Sequence, residues 1–97
     1  MTADEAVDCV IRKLSTGDYL LTNVDRGAHL LKAQRQWRGG QFGVRDFVDV
    51  LTITVFEDEQ RRPVLRVAVT TTVDNKPDEP SERGTTAAKA LVQACMQ

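Results

Sequence analysis

Two β-branched runs flank a short charged turn in residues 47–73, and this stretch most constrains the fold. Valine and threonine favour extended strands, and apolar residues at every second position give each strand one apolar face. The pattern predicts strands over 47–57 and 64–73. The apolar residues of the inward face are Leu51, Ile53, Val55, Leu65, Val67 and Val69. We therefore expect an antiparallel hairpin that the rest of the chain covers.

An amphipathic helix is predicted at each end of the chain. Residues 3–16 follow a capping box of Thr2 and Glu5, and their apolar residues recur at three- and four-residue spacing. Residues 82–96 repeat that spacing after a polar segment at 74–84, which reads as an exposed linker. Because each helix has one apolar stripe, both are expected to pack on the apolar face of the sheet.

Two more strands are predicted between the first helix and the hairpin, at 19–24 and 29–37. Consecutive strands joined by short loops pair as an antiparallel meander. The expected fold class is therefore α+β, with a four-stranded antiparallel meander sheet and the N- and C-terminal helices packed on one face. A chain of 97 residues is expected to form one domain, 1–97.

Charge is segregated along the chain, although the formal net charge is only −1. Residues 26–45 contain basic side chains and no acid, whereas residues 46–59 contain acidic side chains and no base. Opposite charges of this kind are expected to pair between neighbouring strands. The near-neutral net charge argues against nucleic acid as a partner. No apolar run approaches the roughly 18 residues that a membrane span needs.

The sequence predicts no catalytic residue, metal site or cofactor. The single histidine, His29, begins a strand and has no nucleophile motif near it, and no phosphate-binding loop is present. Cys9 lies about 130° from the centre of the apolar stripe of its helix, whereas Cys95 lies near the centre of its own. This mismatch favours two free thiols over a disulfide, and leaves their pairing open.

The glycine-rich loop that follows the second strand is the candidate binding site. Two aromatic and two basic side chains surround it, namely Trp37, Arg38, Phe42 and Arg45. Such a group can stack a base or contact a protein partner. The alternative, which the small number of aromatic residues favours, is that Trp37 and Phe42 close the open end of the core.

The stretch GDYLLTNVDRGAHLLKA, residues 17–33, follows the first helix and precedes the hairpin of Thr- and Val-rich strands. This order resembles the layout of small bacterial envelope lipoproteins, in which a helix is followed by Gly-aromatic, a strand, Asp-Arg, a turn and a strand ending in Ala. The resemblance implies the same fold and an exported, periplasmic location rather than a cytoplasmic one. It implies no enzymatic activity.

Three functions are compatible with these features. The first is a non-enzymatic binding or structural module of a bacterial envelope protein, with a protein partner or a second copy bound through a sheet edge. The second is a carrier of a small apolar ligand, with a cleft between helix and sheet. The third is a weak nucleic-acid binder that uses the polar residues of the basic strand and loop, Lys32, Gln34, Gln36, Arg38 and Arg45.

Overall fold

The computed structural model describes residues 1–40 and 43–96. Helix α1 is followed by a meander of strands and by helix α2. The elements are α1 (Ala3–Ser15), β1 (Leu20–Asp25), β2 (Leu30–Gly39), β3 (Arg45–Glu57), β4 (Pro63–Val73), β5 (Lys76–Asp78) and α2 (Glu82–Cys95). The strands form one sheet in the order β1-β2-β3-β4-β5, and each neighbouring pair is antiparallel.

The α+β class and the antiparallel meander are thus confirmed, but the predicted number of four strands is wrong. The fifth strand, β5, lies in the segment that was expected to be a linker. Asp74 and Asn75 have positive φ values of 50° and 66°, which Asp and Asn tolerate better than most residues. They reverse the chain so that Lys76 pairs with Val73.

The capping box at the start of α1 is confirmed. The amide of Glu5 donates to the Thr2 hydroxyl at 3.1 Å, and the amide of Thr2 donates to the Glu5 carboxylate at 3.0 Å. These bonds satisfy two amides that a helix otherwise leaves without partners at its N-terminus. The hydrogen bonds from Thr2 lower the pKa of Glu5, because they favour the charged carboxylate.

Both helices pack on one face of the sheet, where the inward side chains of the strands form the core. Leu31, Leu51 and Ile53 are fully buried there beneath Val7 and Val10 of α1. The register places Leu31 opposite Ile53 and pairs Ile53 in turn with Val67, so one apolar row crosses three strands. The predicted inward face of the hairpin is therefore confirmed.

Cys9 and Cys95 form a disulfide, with 5.8 Å between their α-carbons. The expectation of two free thiols is therefore wrong. Cys9 is only 6% exposed, although it lies on the flank of the apolar stripe of α1. The angle of Cys9 was measured from the stripe that faces the sheet, whereas α2 packs beside α1 and covers that flank.

The expected pairing of basic and acidic strands is confirmed between β2 and β3. Arg38 forms an ion pair with Asp46 at 2.7 Å, and Arg35 lies opposite Asp49 in the register. The molecule measures about 50 × 23 × 22 Å. Within the described residues, neither helix has the length and apolar character that crossing a bilayer requires.

Candidate functional site

The predicted binding residues of the glycine-rich loop are only partly brought together. Trp37 stacks on Phe47 of the neighbouring strand, with 5.1 Å between ring centres and 7° between ring planes. The Arg35 guanidinium lies over the Trp37 ring at 4.5 Å, which is a cation–π contact. Trp37 is half-buried and lies outside the main core, so it packs on its neighbouring strand instead of filling the core between sheet and helices.

Arg38 and Arg45 lie on opposite faces of the sheet. Successive residues of a strand alternate between its faces, so Arg38 points away from the face of Trp37, and Arg45 shares the face of Phe47. The hydrogen bond that Arg38 donates to Asp46 raises the pKa of Arg38, and Arg45 is exposed. Phe42 lies outside the described residues. A joint role for these residues in binding stays a prediction.

A buried polar cluster surrounds Asp49, a residue that the sequence argument did not select. The fully buried carboxyl group of Asp49 accepts hydrogen bonds from three hydroxyl groups, those of Tyr19 (2.9 Å), Ser81 (2.6 Å) and Thr71. The Thr71 hydroxyl in turn accepts from the Ser81 amide at 2.9 Å. Asp49 therefore joins β3, β4, the segment before β1 and the start of α2.

The alternation of residues along β3 and β4 already places the polar residues of this cluster on the inward face. Asp49 is in phase with Leu51 and Ile53, and Thr71 is in phase with Val69, so both polar residues belong to the inward face. Burial and the hydrogen bond to Asp49 raise the pKa of Tyr19 to about 12, since both favour the neutral phenol. Because Asp49 is closed off from solvent, its hydrogen bonds link these elements within the folded chain.

The cluster fixes the N-terminus of α2. Ser81 is the N-cap residue, and its hydroxyl accepts from the Gly84 amide at 2.9 Å while it donates to Asp49. Gly84 has no side chain to separate the helix from the sheet, because a β-carbon there would come within 2.7 Å of Val69 Cγ1. The first turn of α2 is therefore held close against β4.

The outer edge of β4 offers unpaired backbone groups. The Asp74 amide donates to the Asp46 carbonyl at 2.8 Å, which continues the β3–β4 ladder and shows that even-numbered residues of β4 bond toward β3. Odd-numbered residues therefore direct their N–H and C=O groups outward. β5 pairs only with 71–73, so among the described residues no strand covers the outward groups of Leu65, Val67 and Val69.

A groove runs beside this open edge, between β4 and the outer side of α2. Its volume is about 340 Å³, and its walls are Val67, Ala88, Lys89, Val92 and Gln93. Val92 is 38% exposed, so an apolar surface is available there. We call the unpaired part of β4 and this cavity together the edge groove.

The opposite edge of the sheet, β1, is built differently. Its register with β2 shifts between Leu21 and Asn23, which marks a β-bulge. Bulges interrupt the regular row of outward backbone groups and protect edge strands from further pairing. By contrast, the register of β4 with β3 runs without a shift from Phe47 to Glu57. β4 is therefore the more regular of the two edges.

Comparison with known proteins adds no assignment to this geometry. No protein-family model matches the chain, and no curated protein matches it. In the ranges 1–40 and 43–96, no three His, Cys, Asp or Glu side chains are grouped so that they could hold a metal ion.

Proposed function

We propose that this chain is a non-enzymatic binding module of a bacterial envelope protein, and that it binds an extended segment of a partner protein along the edge groove. The observation that supports this is the row of outward N–H and C=O groups at Leu65, Val67 and Val69. A partner strand would pair with these groups and continue the sheet. The envelope location rests on the resemblance of the sequence layout.

The side chains of the partner would give the interaction its selectivity. In an antiparallel pair, residues directly opposite each other share one face of the sheet. A partner residue opposite Val67 would thus point to the helix side, where Ala88 and Val92 form apolar walls. Lys89 on the same wall favours an acidic residue next to that position.

A partner of different sequence fits this groove better than a second copy does. Symmetric pairing of two β4 edges about Val67 would bring two grooves together, and each has Lys89 and no acidic residue in its walls. Like charges at one junction oppose association. The test must therefore separate self-association from partner binding. Sedimentation of the protein alone makes this distinction.

The test is a selection from a random peptide library displayed on phage, followed by binding of the selected peptides to two variants. Ala88→Trp fills the groove, whereas Ala28→Trp places the same side chain at an exposed turn residue. We expect enriched peptides with apolar residues at alternate positions. Their affinity should fall about tenfold or more for Ala88→Trp and stay unchanged for Ala28→Trp.

Amide NMR then locates the bound peptide on the sheet. The amides of Leu65, Val67 and Val69 should become protected from hydrogen exchange, because each gains a carbonyl partner. Failure to enrich any peptide, or equal binding by Ala88→Trp, would contradict the proposal. So would protection of β1 amides instead. If the protein sediments as a dimer and Ala88→Trp sediments as a monomer, the occupant of the edge groove is a second copy of the chain and not a partner protein.

The two other functions remain alternatives. Nucleic-acid binding through Trp37 and its neighbours is favoured by the stack of Trp37 on Phe47. It is disfavoured because Arg38 is already paired with Asp46. Absence of retention on single-stranded DNA at low salt would exclude it. Binding of a small apolar ligand is favoured by a second cavity, which lies between the two helices.

A further inference from the structure

A cleft separates α1 from α2 on the side of the helices that faces away from the edge groove. Its volume is about 430 Å³, within the usual range for small-molecule sites. Its walls come from the C-terminal end of α1, the residues that follow it, and one side of α2. We call it the helix cleft.

The helix cleft is open because α2 presents small residues to it. Ala87, Ala90 and Ala94 leave space that larger side chains would fill, and Ala90 and Ala94 are exposed. The Cys9–Cys95 disulfide joins the two helices at one end.

An ion pair of Arg83 and Asp18 lies at the other end of the helix cleft. Arg83 contacts Asp18 at 3.4 Å, and the side chains of this pair are 58% and 70% exposed. Exposed pairs of this kind are weak, so Arg83 is available to another anion. Lys13 also lines the helix cleft, which gives its walls two cations against one carboxylate.

Toward the disulfide, the α2 side of the helix cleft is apolar. Ala90, Leu91 and Ala94 line it toward the disulfide, and Leu14 lies on the facing helix. A site that combines two cations with an apolar wall matches a molecule with an anionic head and an alkyl chain. The charge and the apolar wall together indicate the class of ligand.

We propose that the helix cleft binds a single-chain amphiphile with a carboxylate head group. The carboxylate would accept hydrogen bonds from Arg83, Lys13 would add positive charge to the walls, and the alkyl chain would lie against Ala90 and Leu91. A cleft of this volume holds about fourteen non-hydrogen atoms, if each takes the roughly 30 Å³ of a water molecule in the liquid. Dodecanoate has this size and is the probe.

The test is calorimetric titration of the intact, disulfide-bonded protein with dodecanoate below its micelle concentration. We expect saturable binding with one site per chain. Ala90→Trp fills the cleft and should weaken binding about tenfold or more, whereas Ala28→Trp should leave it unchanged. Arg83→Gln should weaken binding about three- to tenfold, because it removes one charged donor from the head group.

Three results would overturn the proposal. The first is equal affinity of the wild type and Ala90→Trp for dodecanoate, which would place binding elsewhere. The second is equal affinity for dodecyltrimethylammonium, a cation with the same alkyl chain, which would remove the role of Arg83 and Lys13. The third is binding only at micellar concentrations. None of these results bears on peptide binding at the edge groove, so the two proposals stand or fall separately.

Discussion

Removal of the Asp49 carboxyl group is the sharpest test of how α2 is held on the sheet. Asp49→Ala leaves three buried hydroxyl groups without their acceptor. Hydrogen bonds to a charged acceptor contribute about 1.5–3 kcal/mol each. The summed contribution of the three hydrogen bonds is an upper bound on the loss of stability. Burial of a carboxylate is itself unfavourable, and the hydroxyl groups can turn toward other partners.

We expect Asp49→Ala to lower the free energy of unfolding by about 3–5 kcal/mol, a large share of the roughly 5–15 kcal/mol typical of a whole domain. Asp49→Asn should lower it by about 1–2 kcal/mol. The amide oxygen can still accept from Tyr19 and Ser81, and only the Thr71 hydroxyl then faces an NH₂ group. Urea unfolding followed by fluorescence of the single tryptophan measures both values.

A matched control exists on the same strand. Asp46 is exposed and pairs with an exposed arginine, so Asp46→Ala should leave the urea midpoint nearly unchanged. A double-mutant cycle of Asp49→Asn with Tyr19→Phe should give a coupling of about 0.5–3 kcal/mol, as for contacting residues. A loss below about 1 kcal/mol for Asp49→Ala would refute the reasoning, because the three hydrogen bonds would then contribute nothing net.

Three further predictions concern Tyr19, the first turn of α2 and the disulfide. Tyr19, the only tyrosine in the sequence, should titrate near pH 12 in the native protein and near its ordinary pKa of 10 when unfolded. Tyrosinate absorbance measures both values. The stability that Tyr19 contributes is therefore complete below pH 10 and is lost as the pH rises through 12. Gly84→Ala should lower the free energy of unfolding, measured with urea, by about 1–3 kcal/mol, because the added β-carbon would meet Val69. The better helix propensity of alanine acts in the opposite direction, so a gain in stability would contradict this contact. Replacing Cys9 and Cys95 together by Ser should lower the free energy of unfolding by about 2–5 kcal/mol, since the bond closes a loop across a sequence separation of 86, and reductant should reproduce this loss in the wild type but not in the variant.

The sequence was most informative where one periodic signal determined the structure. Alternation placed Leu51, Ile53 and Val67 on the inward face, and the capping box located the start of α1. These features depend on residues close in sequence. Strand β5 was not predicted because Lys76, Pro77 and Asp78 have no strand pattern of their own. They pair with β4 because the turn at Asp74 directs them onto it.

The remaining differences arise from contacts between distant elements. The position of Cys9 on its helix was read correctly, yet its burial depends on α2, whose place beside α1 cannot be derived from either helix alone. Asp49 was not selected because it was counted among the acids of 46–59 that were expected to pair with the basic strand. Its partners Tyr19 and Ser81 lie about 30 residues away on opposite sides in the sequence.

Helix α2 separates the two proposed sites, and its attachment at both ends bears on each of them. Asp49 and Ser81 hold its N-terminus to the sheet, and the Cys95 disulfide holds its last turn to α1. Between these ties, Ala88 faces the edge groove and Ala90 faces the helix cleft. A helix fixed at its two ends and open along two sides keeps both cavities formed without a ligand, which lowers the entropic cost of binding at either one.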